Sequence, residues 1–124
     1  PQYHYDLAKE LYGLRKKGVL IIGSGNMVHN LRMVSWQNMN NPGFGFDWAL
    51  KMNDTFKQLI SDGDFKPLIN YESLGTEAKL AIPTPEHYLP LLYSLGLKGS
   101  NDKISFFNDK AVAGSLTMTS VKIG

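Results

Sequence analysis

The sequence predicts an α/β fold: a partial central sheet flanked by helices, with an antiparallel strand pair at the C-terminus. Three observations carry that prediction. Val19–Ile22 is an unbroken apolar run without polar alternation, the mark of a strand buried on both faces. Tyr5–Lys17, just before it, repeats Leu7, Leu11 and Leu14 at helical spacing, and Gly18 joins the two. Ser115–Ile123 alternates Leu116, Met118 and Ser120 against Thr117, Thr119 and Val121, the period of a half-buried strand.

Taken in order, the first helix has Asp6 as a candidate cap, Gly18 at its C-terminal end and charged residues off the leucine face. Such a helix feeding a buried strand is half of a βαβ unit, and the strand that should precede the helix is missing. Gly23-Ser24-Gly25-Asn26 forms a small-residue turn at the C-terminal end of the strand, and His29 follows it. Residues 33–46, rich in Asn, Gly and Met, are too long for a simple connection. Asp47–Ser61 is predicted helical, with a broad apolar face of Trp48, Leu50, Met52, Phe56, Leu59 and Ile60, ended by Gly63. Pro67–Tyr71 and Thr76–Leu80 are short helices broken at Gly75. Pro85–Leu95 is a helix with Thr84 as N-cap and Pro85 at its first position, kinked or restarted at Pro90 and ended by Gly96. Lys103–Phe107 pairs antiparallel with Ser115–Ile123, with turn chemistry at Asn108-Asp109 and Gly114.

The composition bounds the function. A chain of 124 residues, 43% hydrophobic and 19% charged, is a single folded domain rather than a disordered segment. A net charge of +2 with interspersed signs gives no basic face, and no nucleic-acid partner is expected despite a pI near 8.9. The absence of cysteine excludes disulfides, thiolate catalysis and cysteine zinc sites, and fits a reducing cytoplasm. No apolar run approaches the roughly 20 residues of a membrane span, and no signal peptide is visible. The chain opens on Pro1, as expected of a processed or excised piece.

Of the three histidines, two sit where sites form. His29 lies beyond the strand's C-terminal end, where open α/β sheets bind ligands. It suits acid–base chemistry, metal ligation or simple bracing of its loop. His87 is placed at a helix start, where the helix field disfavours its cation and leaves a neutral imidazole for a metal; the plainer role is a first-turn residue. His4, between Tyr3 and Tyr5, is a packing histidine. Gly23-Ser24-Gly25 lacks the spacing of a phosphate loop and of a serine-hydrolase elbow. Arg32 suits a carboxylate but more often braces a loop. Glu72, Glu77 and Glu86 are the candidate carboxylates, Glu86 pointing about 100° away from His87 on a helix. Trp36, Phe44, Phe46 and Trp48 are assigned to core or lid packing.

Two stretches go further. Ser24-Gly25-Asn26 through His29-Asn30-Leu31-Arg32, and Pro83-Thr84-Pro85-Glu86-His87-Tyr88-Leu89-Pro90-Leu91-Leu92-Tyr93, resemble the C-terminal signatures of the 4,5-DOPA extradiol dioxygenase family, of the class III extradiol ring-cleavage dioxygenases. The helix before His29 and the closing Gly114-Ser115-Leu116 to Val121-Lys122-Ile123-Gly124 resemble it too, so the likeness spans essentially the whole chain. It implies that residues 1–124 are the C-terminal portion of a single such domain. It also implies a non-haem Fe(II) site, with zinc able to stand in its place, that cleaves the ring of DOPA or a similar catechol with O₂. His29 matches the family's acid/base histidine, also given as a metal ligand, and His87 matches a ligand or ligand neighbour. The remaining ligands belong to the missing N-terminal half or another chain, so this chain alone is expected to be inactive, with an uncovered sheet edge. A non-catalytic module of the same fold and a zinc-dependent hydrolase are the alternatives.

Overall fold

The computed structural model describes residues 1–124. Its organising element is the helix Asp47–Asp62 (α3), which buries Ala49, Met52, Asn53, Phe56 and Ile60 along one face. Spacings of three and four put those side chains in one stripe. The helix ends where Gly63 turns left-handed, with φ +72°. The stripe packs into a core of 14 buried residues that includes Met27, Val28, Leu68, Tyr71, Ala78, Ala81, Ile82, Tyr88, Leu92 and Leu95.

Shorter helices surround α3. Gln2–Glu10 (α1) and Tyr12–Arg15 (α2) take the place of the single predicted helix, with a break at Leu11. Asp6 is no cap: the helix begins at Gln2, and Asp6 instead accepts from Lys9 and Gln2 on the surface. Lys66–Ile69 (α4) leads through a 3₁₀ turn, Tyr71–Leu74, into Thr76–Ala81 (α5). Leu89–Gly96 (α6) begins at the predicted restart near Pro90, and α1 packs along it. Pro83–Tyr88 is turn rather than helix, so Thr84 caps nothing and His87 stands before the helix rather than on it. Pro90 explains this: it stands at the first turn of α6, where its missing N–H costs nothing.

The strands are short. Ile104–Phe107 (β1) pairs antiparallel with Ser120–Ile123 (β4), from Ile104 opposite Ile123 to Phe107 opposite Ser120. Ala111–Val112 (β2) and Leu116–Thr117 (β3) form a second antiparallel pair, turning through Ala113 and Gly114. The predicted strand Ser115–Ile123 is thus divided at Met118-Thr119 between two sheets.

Val19–Ile22 departs most from expectation. It lies in no ladder, and Leu20 and Ile22 are 81% and 78% exposed. A buried strand needs hydrogen-bonding neighbours on both sides, and the chain supplies none at Leu20–Gly25: no backbone or side-chain hydrogen bond reaches these residues. Trp36, assigned to packing, is also exposed, whereas Phe46 stacks on Trp48 and meets Phe44 edge-on.

Candidate active site

The segment Asn26–Asn30 threads between the C-terminal end of α5 and β3. Asn26 N–H donates to the His87 carbonyl at 2.8 Å, and His29 N–H donates to that of Ala81 at 2.9 Å. Val28 O accepts from Thr117 N–H, and Ser115 Oγ donates to Asn30 O at 2.7 Å. These bonds fix His29 from three directions and bring it to the Pro83–Tyr88 turn. The two imidazoles meet edge to face, centroids 5.1 Å apart and planes at 82°, so the histidines singled out in the sequence converge.

Gly23 and Gly25 permit this approach. A Cβ on Gly25 would lie 2.1 Å from the His87 carbonyl oxygen, and one on Gly23 would lie 2.6 Å from that of Pro90. The glycines therefore serve close backbone contact with the Pro83–Tyr88 turn and the start of α6.

The two rings have different surroundings. His29 is 4% exposed, with Nδ1 at 3.0 Å from Asn26 O and Nε2 at 3.0 Å from Thr84 O. A neutral imidazole carries one N–H and can donate to only one of these carbonyls; the cation donates to both. Burial pushes the His29 pKa below its ordinary value, the carbonyls of Thr84 and Asn26 pull the other way, and the net shift is downward. Burial thus favours the neutral ring, and protonation would let it donate to both carbonyls. His87 is exposed and lines a groove of about 550 Å³ with Val19–Ile22, Gly25 and β4. Beside it, the Thr84 hydroxyl and its own backbone N–H hold the Glu86 carboxyl below the usual range.

His4 lies apart, its Nδ1 3.1 Å from the Tyr93 hydroxyl, as befits a packing residue. Arg32 and Glu72 stand outside the groove, and Glu77 pairs with Lys51. Sequence reasoning missed Asn26, whose N–H holds His87, whose carbonyl meets His29 and whose side chain donates to Thr117 O at 2.8 Å. It also missed Thr84, which acts through its carbonyl. An Asn after a glycine turn was the one available signal for Asn26; a main-chain role such as that of Thr84 leaves none.

A family profile described as the catalytic LigB subunit of aromatic ring-opening dioxygenase matches residues 1–122. The chain belongs to the LigB family. A 4,5-DOPA dioxygenase extradiol from Escherichia coli (strain K12) is 40% identical over 127 residues, covering 98% of this chain and 45% of the relative. One from Beta vulgaris is 31% identical over 123 residues, covering 97% and 43%. The crystal structure of an uncharacterized Escherichia coli K12 protein superposes with a TM-score of 0.85 at 36% identity, over 98% of this chain and 50% of that one. This LigB-family chain thus spans about half the length of the proteins it resembles. No helix in it is long and apolar enough to cross a membrane.

The LigB family is metal-dependent, and a metal ion makes a definite demand on the donors. An imidazole ligates through a bare nitrogen. His87 has a ring free of hydrogen bonds, whereas both nitrogens of His29 face carbonyls, and no group of three His, Cys, Asp or Glu side chains converges. The donors of this LigB-family chain do not by themselves fit a metal ion.

Proposed function

We propose that the chain is the C-terminal portion, residues 1–124 of a single domain, of a non-haem Fe(II)-dependent extradiol dioxygenase that opens the ring of DOPA or a similar catechol with O₂. The observation that carries this reading is the edge-to-face pair of His29, buried, and His87, which lines an apolar groove, in a chain of the LigB family. His29 is the acid/base: a buried neutral imidazole beside two acceptors takes up a catechol proton when Nε2 exchanges the Thr84 carbonyl for a substrate hydroxyl. His87, exposed with an unengaged ring, is the metal ligand this chain offers; a ligand role for His29 as well requires it to release one carbonyl. The other ligands for Fe(II), or for zinc in its place, would come from the half that the relatives have in addition, or from another chain. The metal would hold catecholate and O₂ together. A reducing cytoplasm suits a cysteine-free protein using ferrous iron.

The test compares the 124-residue chain with one extended by the N-terminal half of the Escherichia coli relative, each given Fe(II), DOPA and O₂. The extended chain forms the visible, ring-opened product and the short chain does not. Ring cleavage by the short chain, or none by a folded, iron-loaded extended chain, refutes the proposal.

A further inference from the structure

The neutral His29 ring stands between two acceptors and has one proton for them. Nδ1 lies 3.0 Å from Asn26 O and Nε2 3.0 Å from Thr84 O, and neither carbonyl accepts from any other donor. The tautomer therefore follows from which carbonyl is held harder against the ring. Asn26 is fixed from several sides. Its N–H donates to the His87 carbonyl at 2.8 Å, its side-chain Nδ2 donates to Thr117 O at 2.8 Å, and Nδ2 also lies 3.8 Å from Met118 Sδ. The bond to Thr117 is a substitution within a ladder. Around the His29–Leu116 bridge, Asn30 N–H donates to Ser115 O and Thr117 N–H to Val28 O, but the next acceptor, Thr117 O, takes the Asn26 amide rather than a main-chain N–H. Thr84 has no such anchorage: it lies in the turn before α6, and its N–H makes no hydrogen bond.

We infer that Asn26 is a positioning residue for His29: its side chain, tied to Thr117 O, holds its own carbonyl on Nδ1, keeps the proton of the neutral ring there and leaves Nε2 as the bare nitrogen. The inference rests on the proposed function only in making Nε2 the nitrogen that works. In the opposite tautomer Nε2 would donate to Thr84 O and have no lone pair with which to take a catechol proton. In the Nδ1–H tautomer, Nε2 and Thr84 O face each other as two acceptors at 3.0 Å, a mismatch that a substrate hydroxyl relieves by donating to Nε2. The nitrogen left free on an imidazole is set by the hydrogen bond that the other nitrogen makes, often to a main-chain carbonyl. Any residue offers such a carbonyl. What asparagine adds at position 26 is a short side-chain donor that fixes it in place.

The test is the ¹⁵N NMR spectrum of the histidine rings, read with the rings neutral, on the metal-free 124-residue chain and on the metal-free chain extended by the N-terminal half of the Escherichia coli relative. The His29 signals are those missing from His29→Gln. In the parent, Nδ1 is pyrrole-like and Nε2 pyridine-like. Asn26→Ala lowers the ratio of the Nδ1–H to the Nε2–H tautomer by roughly two- to tenfold, the worth of one loosened hydrogen bond. Met118→Leu, which keeps the amide bond to Thr117 O, leaves the ratio unchanged. Should Asn26→Ala not fold, Asn26→Asp, of the same size but with an ionised side chain that cannot donate, gives the same fall. Nε2–H as the main form in the parent overturns the inference, as does a folded Asn26→Ala or Asn26→Asp that keeps the parent ratio. An equal fall in Met118→Leu assigns the hold to the sulfur and overturns it too. The spectrum needs neither iron nor catechol. Ring cleavage by the extended chain without the expected tautomer overturns the inference and leaves the dioxygenase reading standing. The expected tautomer and its fall, without ring cleavage, uphold the positioning of His29 and remove the dioxygenase reading.

Discussion

Gly25→Ala tests whether the histidine pair depends on the near-contact of two loops. The new Cβ would meet the His87 carbonyl oxygen at 2.1 Å and the His87 carbonyl carbon at 3.0 Å. Relief to ordinary contact distance requires the loops to part by roughly 1 Å. The Asn26 N–H to His87 carbonyl bond, now 2.8 Å, would be stretched beyond hydrogen-bonding range. Overpacking costs about 1–3 kcal/mol and the lost hydrogen bond about 0.5–1.5 kcal/mol. The stiffer unfolded chain offsets about 0.4–1 kcal/mol, leaving a net loss of about 0.5–4 kcal/mol. Gly13→Ala is the control: Gly13 lies in α2 with nothing within 4 Å of its added Cβ, and the change is neutral or stabilising by up to about 1 kcal/mol. Urea unfolding of both variants and the parent measures the difference, compared at equal m-values. The imidazole proton shifts of His29 and His87 report whether the edge-to-face contact opens. Gly25→Ala within about 0.5 kcal/mol of the parent, with those shifts unmoved, would refute the reasoning.

Further outcomes follow from other parts of the structure. On the proposed function, in the extended chain loaded with Fe(II), His29→Ala lowers kcat by roughly 10²–10⁴-fold with metal retained, whereas His87→Ala loses metal first and recovers partly in excess Fe(II); metal analysis beside rates decides, and the reverse pattern exchanges the two roles. Asp102 accepts from Arg15 and from Gly99 N–H, which hold its carboxyl below the usual range. The stability it confers is therefore fully present above the ordinary carboxylate value of about 3.9 and is lost as pH falls through the lowered native value. Asp102→Asn should cost roughly 1 kcal/mol at neutral pH and flatten the acid limb of a stability–pH curve; an unchanged limb counts against the pair. Tyr88 is fully buried and donates its hydroxyl to Leu68 O at 2.8 Å. Tyr88→Phe keeps the ring against Tyr71 and Phe56 but strands that carbonyl, at a cost of about 1–2 kcal/mol in urea unfolding; no change would mean that another donor replaces it.

How much of this was legible depended on whether a feature is a property of one segment or of two. The helix α3 matches its predicted start, and its end lies one residue beyond Ser61, because its apolar stripe and Gly63 are both local. The restart at Pro90 was legible for the same reason, since proline acts on its own backbone. Val19–Ile22 carries strand chemistry, but a ladder requires partners, and the sequence of one strand does not say whether they are present. The pair β2–β3 is too short to show a period, and the division of Ser115–Ile123 at Met118 follows from competition between two partners. His29 and His87 were found because both stand at the ends of predicted elements and in stretches that resemble a known family. The carbonyls that hold His29 were invisible, because every residue has one.

That last feature has a bearing on divergence. The partners of the His29 ring are the main-chain oxygens of Asn26 and Thr84, its amide is held by that of Ala81, and Asn30 Nδ2 donates to that of Leu80. Main-chain oxygens are indifferent to the side chain attached to them, so Leu80 and Thr84 can drift without disturbing these bonds. Side-chain requirements fall instead on Gly23 and Gly25, whose replacement would collide with the backbone of Pro90 and His87, on Asn26, Asn30 and Ser115, whose side chains donate to main-chain oxygens, and on the histidines themselves. The site is therefore built to keep its geometry while the sequence around it changes, and a saturation scan should find a few intolerant positions set in a permissive background.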